Sequence, residues 1–381
     1  MTQPPKNKPH ILFLFSDTGG GHRSAAEAII EAINLEFPEK FNCEMVDFFK
    51  AYAPLPFNLA RPTYTAMSRV AYLWSLCFRI SDDPDRIRVL YSTLWPYIHS
   101  SLKRLLEEHP CKMIVSVHPL INIPILRAIK GKHIPYIVVV TDLVSTHAAW
   151  FSNDADLIII PTQQATRRAI RYRIQPEKLR IVRLPIANKF CKSIGDHKTL
   201  RNLLNWEQDL PIILLVGGGE GMGPIDKVAI EINRIKLPIS LVVVTGHNKK
   251  LKKYLEEQRW DIPIHIYGFV NEMPEFIRAA DILITKAGPG TISEAFIAGI
   301  PIILYHRITG QEEGNISFVV DKGAGIWAPE VKDVINAIKD WLTHPEKRLR
   351  AAQQALQLAQ PDASRKIAHI LAEYLATTKD G

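Results

Sequence analysis

DILITKAGPGTISEAFIAGIPIILYHRITGQEEGN, residues 281–315, reads as one β-α-β unit with a site at its top. A short apolar strand (282–284) enters a Gly-Pro-Gly turn at Gly288, Pro289 and Gly290, and a helix carrying Glu294 follows. A second strand (301–304) then leads into a polar segment containing Gln311, Glu312 and Asn315. Glycines 288 and 290 let the backbone approach a ligand, and Thr291 as N-cap leaves amide N–H groups and the positive helix end facing an anion. Phosphate fits that description. Glu294, one turn into the helix, is placed to accept hydrogen bonds from two neighbouring sugar hydroxyls, while Gln311 and Glu312 come from the next strand-to-helix loop and suit a second sugar. Phosphate, ribose and hexose in that order point to a nucleotide-sugar. The plainer alternative is a tight turn followed by an acid that only favours the first helical turn.

The same rhythm extends in both directions. Residues 10–15 form a buried-type strand that ends in Ser-Asp-Thr-Gly-Gly-Gly-His-Arg (16–23), and residues 24–37 have helical periodicity. Further strands are expected at 44–46, 113–117, 136–140, 157–160 and 180–184, and a second set at 212–216, 240–244, 264–267, 282–284, 302–304 and 325–327. Strands this rich in β-branched residues, alternating with helices, indicate parallel sheets covered on both faces. Six in each half argue for two facing Rossmann-like domains with a ligand cleft at the carboxyl ends of the strands. Residues 185–200, polar and containing Gly195, read as a linker, and the last forty or so residues as helical. The expected division is 1–188, 200–350, and a terminal helix over 351–381 packing back toward the first domain.

Composition narrows the class. A chain of 381 residues is long enough for two cores without disulfides or metals. Its four cysteines, Cys43, Cys77, Cys111 and Cys191, have no metal-ligand spacing, which implies a reducing compartment. No stretch approaches the ~20 apolar residues of a spanning helix, and the polar start MTQPPKNKPH lacks a signal-peptide core. The expectation is a soluble or surface-bound protein on the cytoplasmic side. A net charge of +8 favours anionic partners without choosing among nucleic acid, lipid and small substrates, and no nucleic-acid recognition motif is present.

Three more features fall where open α/β sheets place their sites. His22, after Gly20 and Gly21 at a helix start, is expected to be a neutral imidazole and a candidate general base, its pKa lowered by the positive helix end. Asp142, after another strand, is a candidate orienting carboxylate for His22, or else a helix cap; His118 and His147 are further candidates to line the cleft. Gly217, Gly218 and Gly219 open a second glycine cluster whose backbone suits a diphosphate. It matches neither the dinucleotide fingerprint nor a Walker A loop. Asp154-Ala155-Asp156 and Asp83-Pro84-Asp85 resemble the Asp-x-Asp metal site of some sugar transferases, but with Lys286, helix ends and glycine amides available for phosphate charge no metal or other cofactor is needed.

Residues 52–109 break the α/β rhythm with aromatics, among them Tyr72 and Trp74, interleaved with arginines that include Arg69 and Arg79. Amphipathic helices of that composition suit an interfacial membrane contact, each basic residue near an anionic bilayer contributing about 1 kcal/mol. The alternative is that the aromatics are core and the arginines a solvated face.

Together, SDTGGGHRSAAEAI (16–29), VTDLVSTHAAWF (140–151), VGGGEGMGP (216–224), TKAGPGTISEAFIAGIPIIL (285–304) and GQEEGN (310–315) resemble the monogalactosyldiacylglycerol synthase family. These are inverting glycosyltransferases of the two-Rossmann GT-B type, related to MurG. The resemblance implies transfer of galactose from UDP-galactose to 1,2-diacylglycerol at a membrane surface by a monotopic protein, with anionic lipid such as phosphatidylglycerol as activator. It matches His22 to the acceptor base, Gly288, Pro289, Gly290 and Thr291 to the phosphate-binding helix start, and Glu294 to the ribose ligand. Gln311 and Glu312 match the sugar-contacting pair, and Phe269 and Val270 the segment whose backbone reads uracil. His247 stands where the family has arginine, and Ala148 where a proline follows the histidine. The neighbouring possibilities are UDP-glucose as donor, a MurG-like enzyme with another acceptor, a nucleotide-sugar epimerase, or a non-catalytic basic surface-binding protein.

Overall fold

The computed structural model describes residues 8–17, 20–55, 58, 71–192 and 195–377. Contacts divide the chain into two compact units. The first holds Met1–Asn188, Thr309–Gln311 and Asp362–Gly381, and the second Lys189–Ile308 and Glu312–Pro361.

In the first unit, strands β1 (His10–Phe15), β2 (Asn42–Asp47), β3 (Met113–Ser116), β4 (Tyr136–Val139), β5 (Leu157–Ile160) and β6 (Leu179–Ile181) form one parallel sheet in the order β2-β1-β3-β4-β5-β6. The runs HILFLF, MIVS, YIVV and LIII are apolar on both faces because both faces are covered. Leu12, Leu14, Ile114 and Val138 pack into one core, and their strand neighbours Ile11, Phe13, Val115 and Ile137 into another. Strand alternation sorts them. Helix α1 (Gly21–Glu36) lies against the second core through Ile29 and Ile33, where it meets Ile367 and Leu371 of the last helix, Ala363–Thr377. Full burial of each such side chain contributes about 1.5–3 kcal/mol.

The second unit repeats the design with β7 (Ile212–Val216), β8 (Ser240–Val244), β9 (Ile264–Tyr267), β10 (Ile282–Lys286), β11 (Ile302–His306) and β12 (Gly325–Trp327), ordered β12-β11-β10-β7-β8-β9 and again all parallel. Chain direction across each sheet reverses once, between β1 and β3 in the first and between β7 and β10 in the second. Those reversals open a crevice at the carboxyl ends of the strands, where open α/β sheets bind ligands.

All twelve expected strands are present, with ends shifted by up to three residues. The stretch read as a linker contains helix Asn188–Cys191 and the start of helix His197–Leu204. Buried Arg201 ties the latter to the second sheet, donating to Asp281 Oδ2 at 2.6 Å, while the same oxygen accepts from the Ile212 amide at 2.7 Å. The C-terminal run is two helices, Pro345–Leu358 in the second unit and Ala363–Thr377 in the first, separated at residues 359–362 around Pro361. Proline lacks the amide that a continuing helix needs.

Candidate active site

In the first unit, β1 ends at Phe15, and Gly20, left-handed at φ 78°, turns the chain into α1. His22 is the second residue of that helix, beside the β1/β3 reversal. Arg23 steadies the turn from behind: Nε donates to Asp17 Oδ1 at 3.1 Å and the guanidinium lies 4.7 Å from the Phe15 ring centre. The half-buried His22 ring has Nδ1 2.8 Å from Thr141 Oγ1, with the His118 ring edge-on at 4.6 Å and Trp150 at 6.0 Å. Burial pushes the imidazole down to about 4, the Val117 carbonyl opposing. Burial is the largest cause, and it holds the ring neutral at physiological pH.

Thr141, and not Asp142, holds the ring. The Asp142 carboxylate is buried and accepts from Trp150 Nε1 at 2.6 Å. It therefore orients the wall of the His22 pocket, one step removed from the imidazole. The rest of the loop after β4 is pinned from several sides. Asn122 Nδ2 donates to the Trp150 carbonyl at 3.2 Å, and Arg168 Nε to that of Thr146 at 2.6 Å. Asp82 accepts from the Ala148 amide at 2.8 Å and from the Tyr172 hydroxyl at 2.7 Å, and pairs with Arg168. None of Thr141, Asn122, Asp82 or Arg168 stood out in the sequence.

One carboxylate of each Asp-x-Asp match is taken up by local structure. Asp83 caps helix Pro84–Glu108 by accepting from the Asp85 and Arg86 amides, and Asp156 Oδ2 accepts from the Tyr136 amide at 2.7 Å.

The aromatic-rich interval divides. Arg69 lies outside the described residues, and so do the side chains of Tyr72 and Trp74, which belong to helix Ala71–Ser81. Tyr52 is core, with Tyr91 and Trp95 packed against it, so for these three the plainer alternative holds. Exposed on the helices Ala71–Ser81 and Pro84–Glu108 are Leu76, Ile80, Val89, Leu90 and Tyr97, together with Arg79, Arg86 and Arg88.

In the second unit the two glycine turns follow β7 and β10, the strands at the reversal. Gly217, Gly218 and Gly219 pack against the turn after β8: the His247 amide donates to the Gly219 carbonyl at 2.8 Å, and a Cβ at Gly246, φ 58°, would fall 2.2 Å from that oxygen. After β10 the helix spans Pro289–Ala298 with Gly288 as N-cap. Thr291 is therefore the third helical residue. Pro289 at the first position gives up no useful donor, and the amides of Gly290 and Thr291 lie in the first turn, where helices have no internal acceptor. Glu294 is half-buried, and burial pushes its carboxyl up to about 7 against the pull of Lys189. Phe269 is exposed and stacks on His247, rings 4.3 Å apart and 8° from parallel, beside half-buried Val270. Glu312 is buried and paired with Lys286, whereas Gln311 groups with the first unit.

The profile of the monogalactosyldiacylglycerol (MGDG) synthase family matches residues 22–186, and that of the glycosyltransferase family 28 C-terminal domain matches residues 212–367. A probable MGDG synthase 2 from Oryza sativa subsp. indica is 36% identical over 368 residues, 93% of this chain and 78% of the relative. The chain belongs to the monogalactosyldiacylglycerol synthase family. MGDG synthase 3 of Arabidopsis thaliana is 37% identical over 366 residues, again 93% of this chain and 78% of that protein. The fold is that of the GT-B glycosyltransferases: Acinetobacter baumannii MurG aligns at a TM-score of 0.63 with 15% identity, over 96% of this chain and 99% of MurG. A Neisseria meningitidis UDP-GlcNAc 2-epimerase solved with UDP-GlcNAc shares the architecture at 0.64 and 15% identity, over 96% of this chain and all of that one. This family member is a glycosyltransferase, and among its described residues no helix is long and apolar enough to cross a membrane.

Proposed function

We propose that this MGDG synthase family member transfers galactose from UDP-galactose to the free hydroxyl of 1,2-diacylglycerol, with inversion and without a metal, while docked on the cytoplasmic face of a membrane. Its relatives are named for the synthesis of monogalactosyldiacylglycerol, and the observation that carries the reading here is His22, neutral and held by Thr141 at the sheet reversal.

In the mechanism, His22 accepts the proton of the diacylglycerol hydroxyl while the oxygen forms a bond to the anomeric carbon. The bond from that carbon to the diphosphate oxygen breaks on the opposite face, and UDP leaves with the electron pair. Direct displacement inverts the centre. An imidazole whose pKa lies near 4 is a weak base, so the proton moves late, as the new bond acidifies the hydroxyl. Thr141 keeps the ring aimed, and Asp142 fixes Trp150 beside it. On the donor side, Lys286 and the first-turn amides of helix Pro289–Ala298 stabilise the charge gathering on the leaving diphosphate. Glu294 takes the ribose hydroxyls, Phe269 and Val270 the uracil. Leu76, Ile80, Val89 and Leu90 beside Arg79, Arg86 and Arg88 support docking on a surface rich in anionic lipid such as phosphatidylglycerol.

His22→Ala tests the assignment. Turnover is expected to fall by about 10²–10⁴ while UDP affinity stays as in the wild type. A loss smaller than about tenfold removes His22 as the base.

A further inference from the structure

Lys286 and Glu312 have separate tasks in the donor reading, yet in the fold each holds the other. Their Nζ–Oε1 distance is 2.5 Å, with side chains only 15% and 4% exposed. Glu312 Oε2 also accepts from the Ile308 amide at 2.8 Å, so its own loop anchors the carboxylate and the long lysine is the partner free to swing. The glycines show where the pair stands. A Cβ at Gly288, the N-cap of helix Pro289–Ala298, would lie 2.9 Å from Lys286 Nζ and 3.7 Å from Glu312 Oε1; one at Gly218 would lie 3.2 Å from Lys286 Cε. The lysine therefore runs across both glycine turns of the second unit, at the β7/β10 reversal, and ends on a buried carboxylate.

An anion settling on those turns meets an ammonium that is already neutralised and a carboxylate that repels it. Both charges are largely out of water, so neither effect is screened as it would be on a surface. We propose that Glu312 is a latch on Lys286: it holds the ammonium in the unliganded site, the donor's diphosphate takes the lysine over, and the freed Oε1 accepts from the hydroxyls of the transferred sugar while Oε2 stays on the Ile308 amide. This rests on the nucleotide-sugar reading above and adds a direction to it. UDP-sugar offers partners to both halves of the broken pair, whereas UDP offers a partner only to Lys286. Once the sugar has left, the latch recloses and favours release of UDP. Glu312 is thus a positioning residue for Lys286 as well as a sugar ligand.

Calorimetric titration of the full chain with UDP alone tests this, because UDP carries no sugar for Glu312 to touch. Glu312→Gln keeps the side-chain shape and an acceptor for the Ile308 amide but removes the charge. It should bind UDP roughly tenfold tighter than the wild type, with lower turnover and stronger inhibition by UDP. Thermal melting checks that the variant is folded; if it is not, Glu312→Met, apolar and of similar length, should show the same tightening. Unchanged UDP affinity would mean that Glu312 touches only the sugar, and weaker affinity that it merely props up the lysine. Either overturns the latch. If the wild type does not bind UDP at all, the donor reading itself falls and the latch falls with it.

Discussion

Replacing Thr141 by valine deletes one hydroxyl and keeps the shape of the side chain. Thr141 is buried and its Oγ1 lies 2.8 Å from His22 Nδ1, so packing is preserved and the loss is that one hydrogen bond. A net protein hydrogen bond contributes about 0.5–1.5 kcal/mol, and a polar atom left without its partner in a poorly solvated place costs about 1–3 kcal/mol. At about 1.4 kcal/mol per tenfold in rate, the expected fall in kcat is around tenfold, between about threefold and a hundredfold. That is well short of losing the base itself. Initial rates should be measured against diacylglycerol and donor separately, for Thr141→Val, Thr141→Ser, His22→Ala and the Thr141→Val/His22→Ala pair. Donor KM should hold, serine should restore most of the rate, and valine should cost nothing further once His22 is gone. A valine variant within twofold of wild type, or one whose effect persists undiminished in the His22→Ala background, refutes the positioning role.

Other expectations concern pH and the exposed helices. Glu294 has its carboxyl raised to about 7, so below that pH it is mostly protonated and a poorer acceptor for ribose hydroxyls. UDP affinity should rise between pH 6 and 8 in the wild type more than in Glu294→Gln; equal slopes would dissociate Glu294 from ribose. His22 falls to about 4 in the fold from 6.5 when unfolded, so in that window the unfolded chain binds the extra proton, and its contribution to stability is lost as pH drops from 6.5 toward 4. The shift corresponds to at most about 3–4 kcal/mol, and His22→Asn should show a shallower fall of melting temperature across the window. Converting Ile80 and Val89, both more than half exposed, to serine should weaken sedimentation with phosphatidylglycerol vesicles by roughly tenfold without lowering the melting temperature; unchanged sedimentation would place docking elsewhere.

The sheets were legible because their strands are short, β-branched and apolar on both faces, a pattern few other elements produce. Glycine turns after β1, β7 and β10 were legible for a related reason, since the carboxyl ends of such strands are where ligands bind. What escaped was direction. Thr141 and Asp142 lie in the loop just past β4, where no strand periodicity tells which of two neighbouring side chains meets His22. Gly288 displaced Thr291 as N-cap because Pro289, with its fixed φ, suits the first helical position. The Lys286–Glu312 pair joins residues 26 apart, and nothing local announces it. Tyr52, Tyr91 and Trp95, in the interval that the sequence left open between core and interface, are packed in or on the core; the guanidinium of Arg127, for one, lies over the Trp95 ring at 4.2 Å. Long cationic stems cover apolar surface, so an alternation of arginine and aromatic does not by itself separate core from interface.

The most direct test of the account is a product assay on the purified full chain with diacylglycerol in mixed micelles, EDTA present, and UDP-galactose and UDP-glucose offered in parallel. Metal-independent formation of a β-linked monogalactosyl lipid from UDP-galactose is the result expected. A glucosyl lipid alone would correct the donor. No glycolipid from either donor, with or without phosphatidylglycerol, while UDP still binds, would contradict the assignment of diacylglycerol as acceptor.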